Sequence, residues 1–367
     1  MLPKITLFLS IFLCGLTHSK EICRFSTKDR KIFDSEITKF MQKYNIPGLS
    51  IAMSNKGKII LAKGYGYANI EKQIKVTPEH KFRIASLSKP ITSFAIMKLT
   101  EEKKFSLEDK VFGPNGLLSY SIKNPHTLKL TVKNLLEHTA GSEWSNEKND
   151  PMYWQHKLGK DAFIEWALKK FQLSKTPGKY YHYSNFGYCL LGKIIEVKTG
   201  LKYSEYVLKL LKEKKITDLK IGTREKADGT KESVYYSQDK KFDAYSWPLK
   251  RMDSHGGWIS TPISLIQFMF CVDGFKYPRD LLSSKSVKVM STPSKANSRY
   301  ALGWNVNSSN HWSHVGSLAG SGSIMVRTNH KTSWVILANS KSDHPNFFPD
   351  LDKLPWDILS NVKRLPR

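Results

Sequence analysis

The chain has 367 residues, more than one hydrophobic core usually organises, so we expect one large composite domain or two lobes. Its residues are 40% apolar and 12% aromatic, which indicates an ordinary globular protein and excludes a fibrous or disordered chain. The formal net charge is +26, but the lysines recur singly or in pairs without a basic helix, so we expect a solvated surface and no nucleic-acid partner. Attraction to a polyanionic wall or matrix is the alternative interpretation of this charge.

The N-terminal 19 residues have the pattern of a signal peptide. Lys4 precedes the apolar run 5–16, and Thr17-His18-Ser19 follow as a candidate cleavage region. We therefore expect a mature chain from about Lys20, secreted to an extracellular or periplasmic space. A run of roughly twelve apolar residues is short for a bilayer span, although an uncleaved anchor is the alternative. Because no second long apolar stretch follows, we expect no stable membrane insertion after cleavage.

Three cysteines remain after that segment: Cys23, Cys189 and Cys271. An odd number cannot form a complete disulfide framework, so at most one bridge is possible. Cys189 and Cys271 lie in apolar, helix-like stretches, which favours buried free thiols. No Cys/His group has zinc spacing, and we predict neither a metal nor a cofactor.

Next come a predicted helix at 29–44 and a hairpin of runs 48–53 and 58–65 around Asn55-Lys56-Gly57. Near the other end, runs 323–327 and 333–337 predict a second hairpin across 329–331. Between them the chain is richer in helical periodicity and loops.

These elements predict an α+β fold: an antiparallel sheet built from both chain ends, flanked by helices, with an inserted mainly helical region. We expect one domain over 20–367, with an α/β lobe at about 20–85 and 250–367 and a helical lobe at about 86–249.

Ser86 and Lys89 form a Ser-x-x-Lys pattern, which a helix would place on one face, one turn apart. The pattern alone carries little information, because it recurs at three other serines. Ser86 differs in its setting, since apolar residues at helical spacing follow it and Pro90 suits a first helical turn. The free N–H groups and dipole of a helix start would favour an anion forming at the serine's acyl carbon.

A serine hydroxyl needs a base, and Lys89 can serve only if burial or charge lowers its pKa from about 10.4. For an isolated pattern, the competing interpretation is a helix N-cap beside a solvated lysine. Two further segments favour chemistry: Tyr183-Ser184-Asn185 before an apolar helix, and His314-Val315-Gly316-Ser317 before a glycine-spaced strand.

Taken together, the motifs resemble the serine β-lactamase and penicillin-binding protein superfamily, in its class C-like branch with related esterases and D-aminopeptidases. The resemblance covers about 29–337. It rests on blocks in the family's order at 82–89, 135–141, 177–185, 256–261 and 300–304.

The resemblance implies a role for each matching residue. Ser86 would be the acylated nucleophile, and Lys89 and Tyr183 would share general-base and general-acid duty. His138 resembles a residue that fixes a loop, and we expect no chemical role for it.

The other matching positions would bind the substrate. Asn185 would hold the substrate amide, and His314, Gly316 and Ser317 would also contact the substrate. The oxyanion hole would come from the backbone N–H groups of Ser86 and Ser317.

The third motif departs from the family, because β-lactamases and D,D-peptidases generally carry Lys-Thr-Gly where this chain has His314-Val315-Gly316. A histidine with a pKa near about 6.5 is mostly neutral at pH 7 and offers no permanent charge to a substrate carboxylate. We therefore expect cleavage of an ester, a lactone or a short peptide before antibiotic hydrolysis.

Three hypotheses for the function follow from these residues. The first is an acyl-enzyme hydrolase acting on a small ester, amide or peptide, so that the partner is a small-molecule or short-peptide substrate. The second is a β-lactamase or D,D-carboxypeptidase, and the third a non-catalytic binding or self-assembling protein on the same fold. The loops at about 142–159 and 222–248 are expected to shape the pocket, and no motif indicates the natural substrate or the oligomeric state.

Overall fold

The structure is a computed structural model that describes residues 21–147, 149–239 and 241–366. The predicted signal peptide at 1–19 lies outside the described residues. Its cleavage and the secretion of the chain therefore stay predictions.

Strands and helices alternate irregularly along the described chain. The strands are β1 (Ile22–Cys23), β2 (Gly48–Asn55), β3 (Lys58–Asn69), β4 (Ile74–Lys75), β5 (Phe82–Arg83), β6 (Leu219–Ile221), β7 (Trp258–Ser260), β8 (Asn305–Val306), β9 (Trp312–Leu318), β10 (Ser321–Arg327) and β11 (Thr332–Ala338). The helices are α1 (Thr27–Lys43), α2 (Ser88–Glu101), α3 (Val132–Leu136), α4 (Lys160–Lys170), α5 (Asn185–Thr199), α6 (Tyr203–Lys212), α7 (Pro262–Met269), α8 (Ser284–Met290) and α9 (Phe347–Ser360).

The central sheet joins the two ends of the chain. Its order is β1-β3-β2-β11-β10-β9-β8, with β4 added beside β3, and the pairs are antiparallel. The first hairpin turns at Lys56 and Gly57, whose φ angles of 50° and 77° suit a two-residue turn that matches the strand twist. Both predicted hairpins are confirmed, as is the α+β fold with a sheet from both chain ends.

The two faces of this sheet belong to different cores, because side chains alternate along a strand. On β11, Trp334 and Ile336 pack with buried residues of α1 and α9. The alternate residues Val335 and Leu337 face the opposite side of the sheet. They belong to the core that the sheet shares with the helical region, and α7 packs on this face. The central strands are therefore buried on both faces, which explains their almost continuous apolar runs.

A second, three-stranded sheet of order β5-β7-β6 lies next to the helical region. Its strand β5 leads directly to Ser86, and β6 comes from the segment that the sequence assigned to the helical lobe. The division into an α/β lobe and a helical lobe at the predicted boundaries therefore stays a prediction.

The predicted helix at 29–44 begins two residues earlier, at Thr27. Ser26 caps it, because its side-chain oxygen accepts the Asp29 N–H at 3.1 Å. The predicted helix start at Ser86 also differs: a 3₁₀ turn covers Ala85–Leu87, and the α-helix begins at Ser88.

Cys23, Cys189 and Cys271 are free, and the last two are buried, as the sequence predicted. Within the described residues, no helix is both long and apolar enough to cross a bilayer.

Candidate active site

Ser86 lies at a sharp bend between β5 and α2. The preceding residue, Ala85, has a φ of +47°, in the left-handed region that a residue with a Cβ rarely adopts. The Ser88 hydroxyl donates to the Ala85 carbonyl oxygen at 2.6 Å and helps to hold this bend. The Ser86 side chain is half-buried and lines a cleft.

Lys89 lies one turn further along and has no solvent exposure (0%). Its Nζ is 3.1 Å from Ser86 Oγ, 2.8 Å from Asn185 Oδ1 and 3.0 Å from the His255 carbonyl oxygen. The amide and carbonyl oxygens can only accept hydrogen bonds. A neutral amine therefore gives its two hydrogens to these oxygens and directs its lone pair at the Ser86 hydroxyl.

Burial supports that neutral form. Removal from water lowers the pKa of Lys89 to about 7, although the charge of Asp150 acts in the opposite direction. At neutral pH a large fraction of Lys89 can therefore accept a proton from Ser86.

Tyr183 and Asn185 flank the start of α5, where the Ser184 side chain caps the helix by accepting the Gly187 N–H. The Tyr183 phenol is hydrogen-bonded to Ser86, and burial raises the pKa of Tyr183 well above its ordinary value. Lys89 is thus the better proton acceptor in the free protein, while Tyr183 keeps its proton. The Asn185 amide bridges Lys89 and Asn146, to whose Oδ1 it donates at 2.9 Å.

His314 lies on β9 at the end of a buried chain of hydrogen bonds. His138 Nδ1 accepts the Ser184 N–H at 3.1 Å, so its Nε2 carries the proton and donates to the Tyr300 oxygen at 3.0 Å. The Tyr300 hydroxyl can then donate to His314 Nε2 at 3.3 Å, and His314 Nδ1 donates to the Val315 carbonyl at 2.7 Å.

This series of hydrogen bonds leaves neither ring nitrogen of His314 free for a substrate. Burial lowers the pKa of His314 to about 3, and the charge of Lys89 acts in the same direction, so the imidazole is neutral. The ring of His138 also packs on Tyr183, with centroids 4.3 Å apart, which fits the loop-fixing role expected for His138.

Gly316 allows β9 to approach the Ser86 bend closely. A Cβ at this position would lie 2.4 Å from the Ile84 carbonyl oxygen and 2.2 Å from Ser323 Oγ, so a side chain would push the strand away. The next residue, Ser317, is exposed and lines the same cleft as Ser86. The structure therefore brings all the predicted site residues to one place.

The cleft around these residues has a volume of about 530 Å³. As expected, residues from the loops at 142–159 and 222–248 line it, among them Tyr153, Phe242 and Trp247. Among the described residues, the lining also includes one acidic side chain, Asp239, and one lysine, Lys341. In the described parts of the chain, no group of His, Cys, Asp and Glu side chains is arranged to hold a metal ion.

The family profile described as Beta-lactamase matches residues 33–354, which is most of the chain. The chain belongs to the beta-lactamase family. Membership places it in a superfamily of serine hydrolases.

Three similar proteins illustrate this beta-lactamase relationship. Protein flp of Staphylococcus aureus (strain MW2) is 28% identical over 333 residues, which cover 88% of this chain but 65% of that protein, so the chain spans less than two thirds of its length. Teichoic acid D-alanine hydrolase of Staphylococcus aureus is 31% identical over 185 residues, 49% of this chain and 42% of that protein. The crystal structure of D-amino acid amidase from Ochrobactrum anthropi SV3 complexed with L-phenylalanine amide has a TM-score of 0.75 at 21% identity, covering 92% and 99% of the two chains, which shows a shared fold.

Sequence reasoning missed several residues of this beta-lactamase-type site. Asn146 and Asp150 come from a loop without a readable motif, and the His255 carbonyl contributes only backbone. Tyr300 lay in a family block but had no assigned role. Asp150 before Pro151 does signal a capped turn, yet no local pattern could show its contact with α5.

Proposed function

We propose that the chain is a secreted serine hydrolase that forms an acyl-enzyme on Ser86 and cleaves a small ester, amide or peptide. The observation that carries the proposal is the buried Lys89 amine, 3.1 Å from Ser86 Oγ, with its other two contacts made to oxygens that only accept. A structural lysine would be expected to pair with a carboxylate or to reach solvent, and Lys89 does neither.

Acylation in this proposal begins with a neutral Lys89. Its lone pair takes the Ser86 proton while Oγ attacks the substrate carbonyl, and the negative charge on the substrate oxygen is stabilised by the N–H groups of Ser86 and Ser317. The carbonyl re-forms as the bond to the leaving group breaks. The leaving group takes its proton from Tyr183, whose phenol Lys89 then reprotonates.

Deacylation would repeat these transfers with water as the nucleophile. Water loses a proton to the same Lys89 and Tyr183 pair, attacks the ester carbonyl on Ser86 and releases an acid. The Ser86 oxygen regains its proton as the bond breaks, so the site returns to its starting state.

The substrate is proposed to carry a D-aminoacyl ester or amide. Two similar proteins have names that describe such bonds, a D-alanine hydrolase of teichoic acid and a D-amino acid amidase. The aromatic wall of Tyr153, Phe242 and Trp247 suits an apolar acyl side chain. The net charge of +26 suits attraction to a polyanionic carrier of such esters.

A β-lactamase or D,D-carboxypeptidase is the second candidate, since the chain belongs to the beta-lactamase family. The neutral His314 offers no permanent charge to the carboxylate that such substrates carry. Lys341, the one cation in the lining that the structure describes, already pairs with Asp343 at 2.5 Å. These observations favour esters and amides without that carboxylate.

The test is covalent labelling of Ser86. The purified protein should react with a fluorophosphonate, and mass spectrometry should place the label on the peptide containing Ser86, with Ser86→Ala as the unlabelled control. Turnover of D-alanyl esters, D-amino acid amides, p-nitrophenyl esters and nitrocefin would then rank the substrate classes. No label on the folded protein would leave the non-catalytic binding protein as the explanation.

A further inference from the structure

Asp150 is a buried carboxylate beside the proposed catalytic residues (0% exposed). Its Oδ1 accepts the backbone N–H of Met152 at 2.9 Å. Its Oδ2 accepts the backbone N–H of Asn185 at 2.6 Å and that of Phe186 at 3.4 Å. All three partners are donors, so both oxygens act as acceptors. Burial raises the pKa of Asp150 to about 7, although these three N–H groups act in the opposite direction and favour the charged carboxylate.

These contacts tie a pocket loop to the start of α5. The first N–H groups of a helix have no partner within the helix, and a negative charge is favourable there. Ser184 takes the Gly187 N–H, while Asp150 takes the two before it. The start of α5 is therefore held by a residue that lies 35 positions earlier in the chain.

The same helix start carries the residues that contact Lys89. Asn185 is held through its backbone by Asp150, and its side-chain Oδ1 accepts from Lys89 Nζ at 2.8 Å. Tyr183 lies two residues before Asn185 and is hydrogen-bonded to Ser86. A shift of Asn185 would therefore move one hydrogen-bond partner of the Lys89 amine and also the Tyr183 ring, whose centroid lies 4.6 Å from Lys89 Nζ.

Above about pH 7, where its carboxyl group is ionised, Asp150 also supplies a charge. The titratable groups around Lys89 are the phenols of Tyr183 and Tyr188 and three histidines, His138, His255 and His314. Burial lowers the pKa of each histidine and raises that of each phenol, so all are neutral. Within the described residues, Asp150 is the carboxylate whose charge raises the pKa of Lys89 against the effect of burial.

We propose that Asp150 is a positioning residue of this site: it holds Asn185 and Tyr183 against Lys89, and its negative charge favours transfer of the Ser86 proton to Lys89. The proposal rests on the hydrolase function proposed above. Asp150 lies behind the helix start and does not contact the reacting atoms.

The variant Asp150→Asn keeps the size of the side chain and removes the charge. With a neutral p-nitrophenyl ester, we expect kcat to fall by about ten- to a hundredfold with KM changed less than about threefold. The acid limb of kcat/KM should move to lower pH by about half a unit or more, because loss of the negative charge lowers the pKa of Lys89. Asp150→Glu keeps the charge and displaces it, so kcat should fall while the acid limb stays in place.

The matched control is Glu147→Gln, which removes an exposed carboxylate from the same loop. It should leave kcat and the pH profile as in the wild type. If Asp150→Asn folds and behaves like this control, the proposal is overturned. Absence of Ser86 labelling in the wild type would instead overturn the hydrolase function, so the two failures are distinguishable.

A measurement on the wild-type protein covers the case in which the Asp150 variants do not fold. Hydrogen exchange of the Asn185 and Phe186 amides, corrected for the intrinsic pH dependence, should show protection that falls as pH is lowered and Asp150 is protonated. Protection that does not change with pH in these two amides would contradict the anchoring role.

Discussion

Lys89 is fully buried and the Lys160 side chain is 15% exposed, yet the larger difference lies in their partners. Lys160 pairs with Asp253 at 2.6 Å and Glu196 at 2.9 Å, and these charges outweigh burial, so the pKa of Lys160 lies above its ordinary value. Lys89 contacts only neutral oxygens, and burial lowers its pKa to about 7. The comparison teaches that carboxylates in direct contact decide whether a buried lysine is a fixed cation or a base.

The largest difference between the Lys89 and Lys160 variants is expected in catalytic activity. Lys89→Met removes the proposed base and should lower kcat/KM by about 10³-fold, within the range for loss of a general base. Lys160→Met should stay within about threefold of the wild type, because Lys160 does not contact Ser86. Ester hydrolysis by the two purified variants, each checked for folding by circular dichroism, measures the contrast. Equal losses would remove the functional distinction between the two lysines.

The free energy of unfolding should fall more when Lys160 is replaced than when Lys89 is replaced. Lys160→Met leaves the buried Asp253 without its partner and should lower the free energy of unfolding by about 3 kcal/mol. Urea denaturation measures this loss, with the exposed Lys157→Met as the matched control, expected within about 0.5 kcal/mol of the wild type. A Lys160 variant as stable as the control would show that the ion pairs contribute nothing net.

The pH dependence of the reaction tests the neutral form of Lys89. Protonation removes the base, so kcat/KM should fall about tenfold per pH unit below the pKa and level off above it. This acid limb of the pH profile of kcat/KM should have an apparent pKa of about 7. Because burial raises the pKa of Tyr183, no decline is expected up to about pH 9.5. A rate that still rises through pH 10 would indicate an ordinary, solvated lysine.

The smallest expected effect is a gain in stability for Lys89→Met. Replacing a buried amine that has no counter-ion with an apolar side chain should raise the free energy of unfolding by about 1 kcal/mol, because burial of the polar group is unfavourable and functional sites often trade stability for activity. The same urea measurements provide the comparison, and the sign should be opposite to that of Lys160→Met. A loss of stability would mean that the three hydrogen bonds of Lys89 outweigh its burial.

Much of the fold was predictable because its signals are local. Alternating apolar runs and the turn around Lys56-Gly57 predicted the first hairpin, and the structure extends its strands by a few residues. Element ends were less predictable. The α2 start moved from Ser86 to Ser88 because Ala85 adopts a left-handed conformation that the flanking apolar pattern does not encode.

The candidate site was predictable only where motif and context coincided. The spacing of Ser86 and Lys89 follows from helical geometry, and the family resemblance singled out Tyr183, Asn185 and the strand at 314–317. Asp150 had no such signal, because its role depends on a contact with residues 35 positions away. The buried chain from His138 through Tyr300 was likewise not readable from spacing.

The sequence by itself determined helix α1, the two hairpins that bring the chain ends into one sheet, and the one-turn relation of Ser86 to Lys89. These depend on neighbours within a few residues, where periodicity and turn chemistry act. Only the tertiary structure decided the character of Lys89 and Lys160, since burial and the positions of Asp150 and Asp253 set it. A pKa depends on the solvent and charges within a few ångströms in space, and distant segments of the chain supply both.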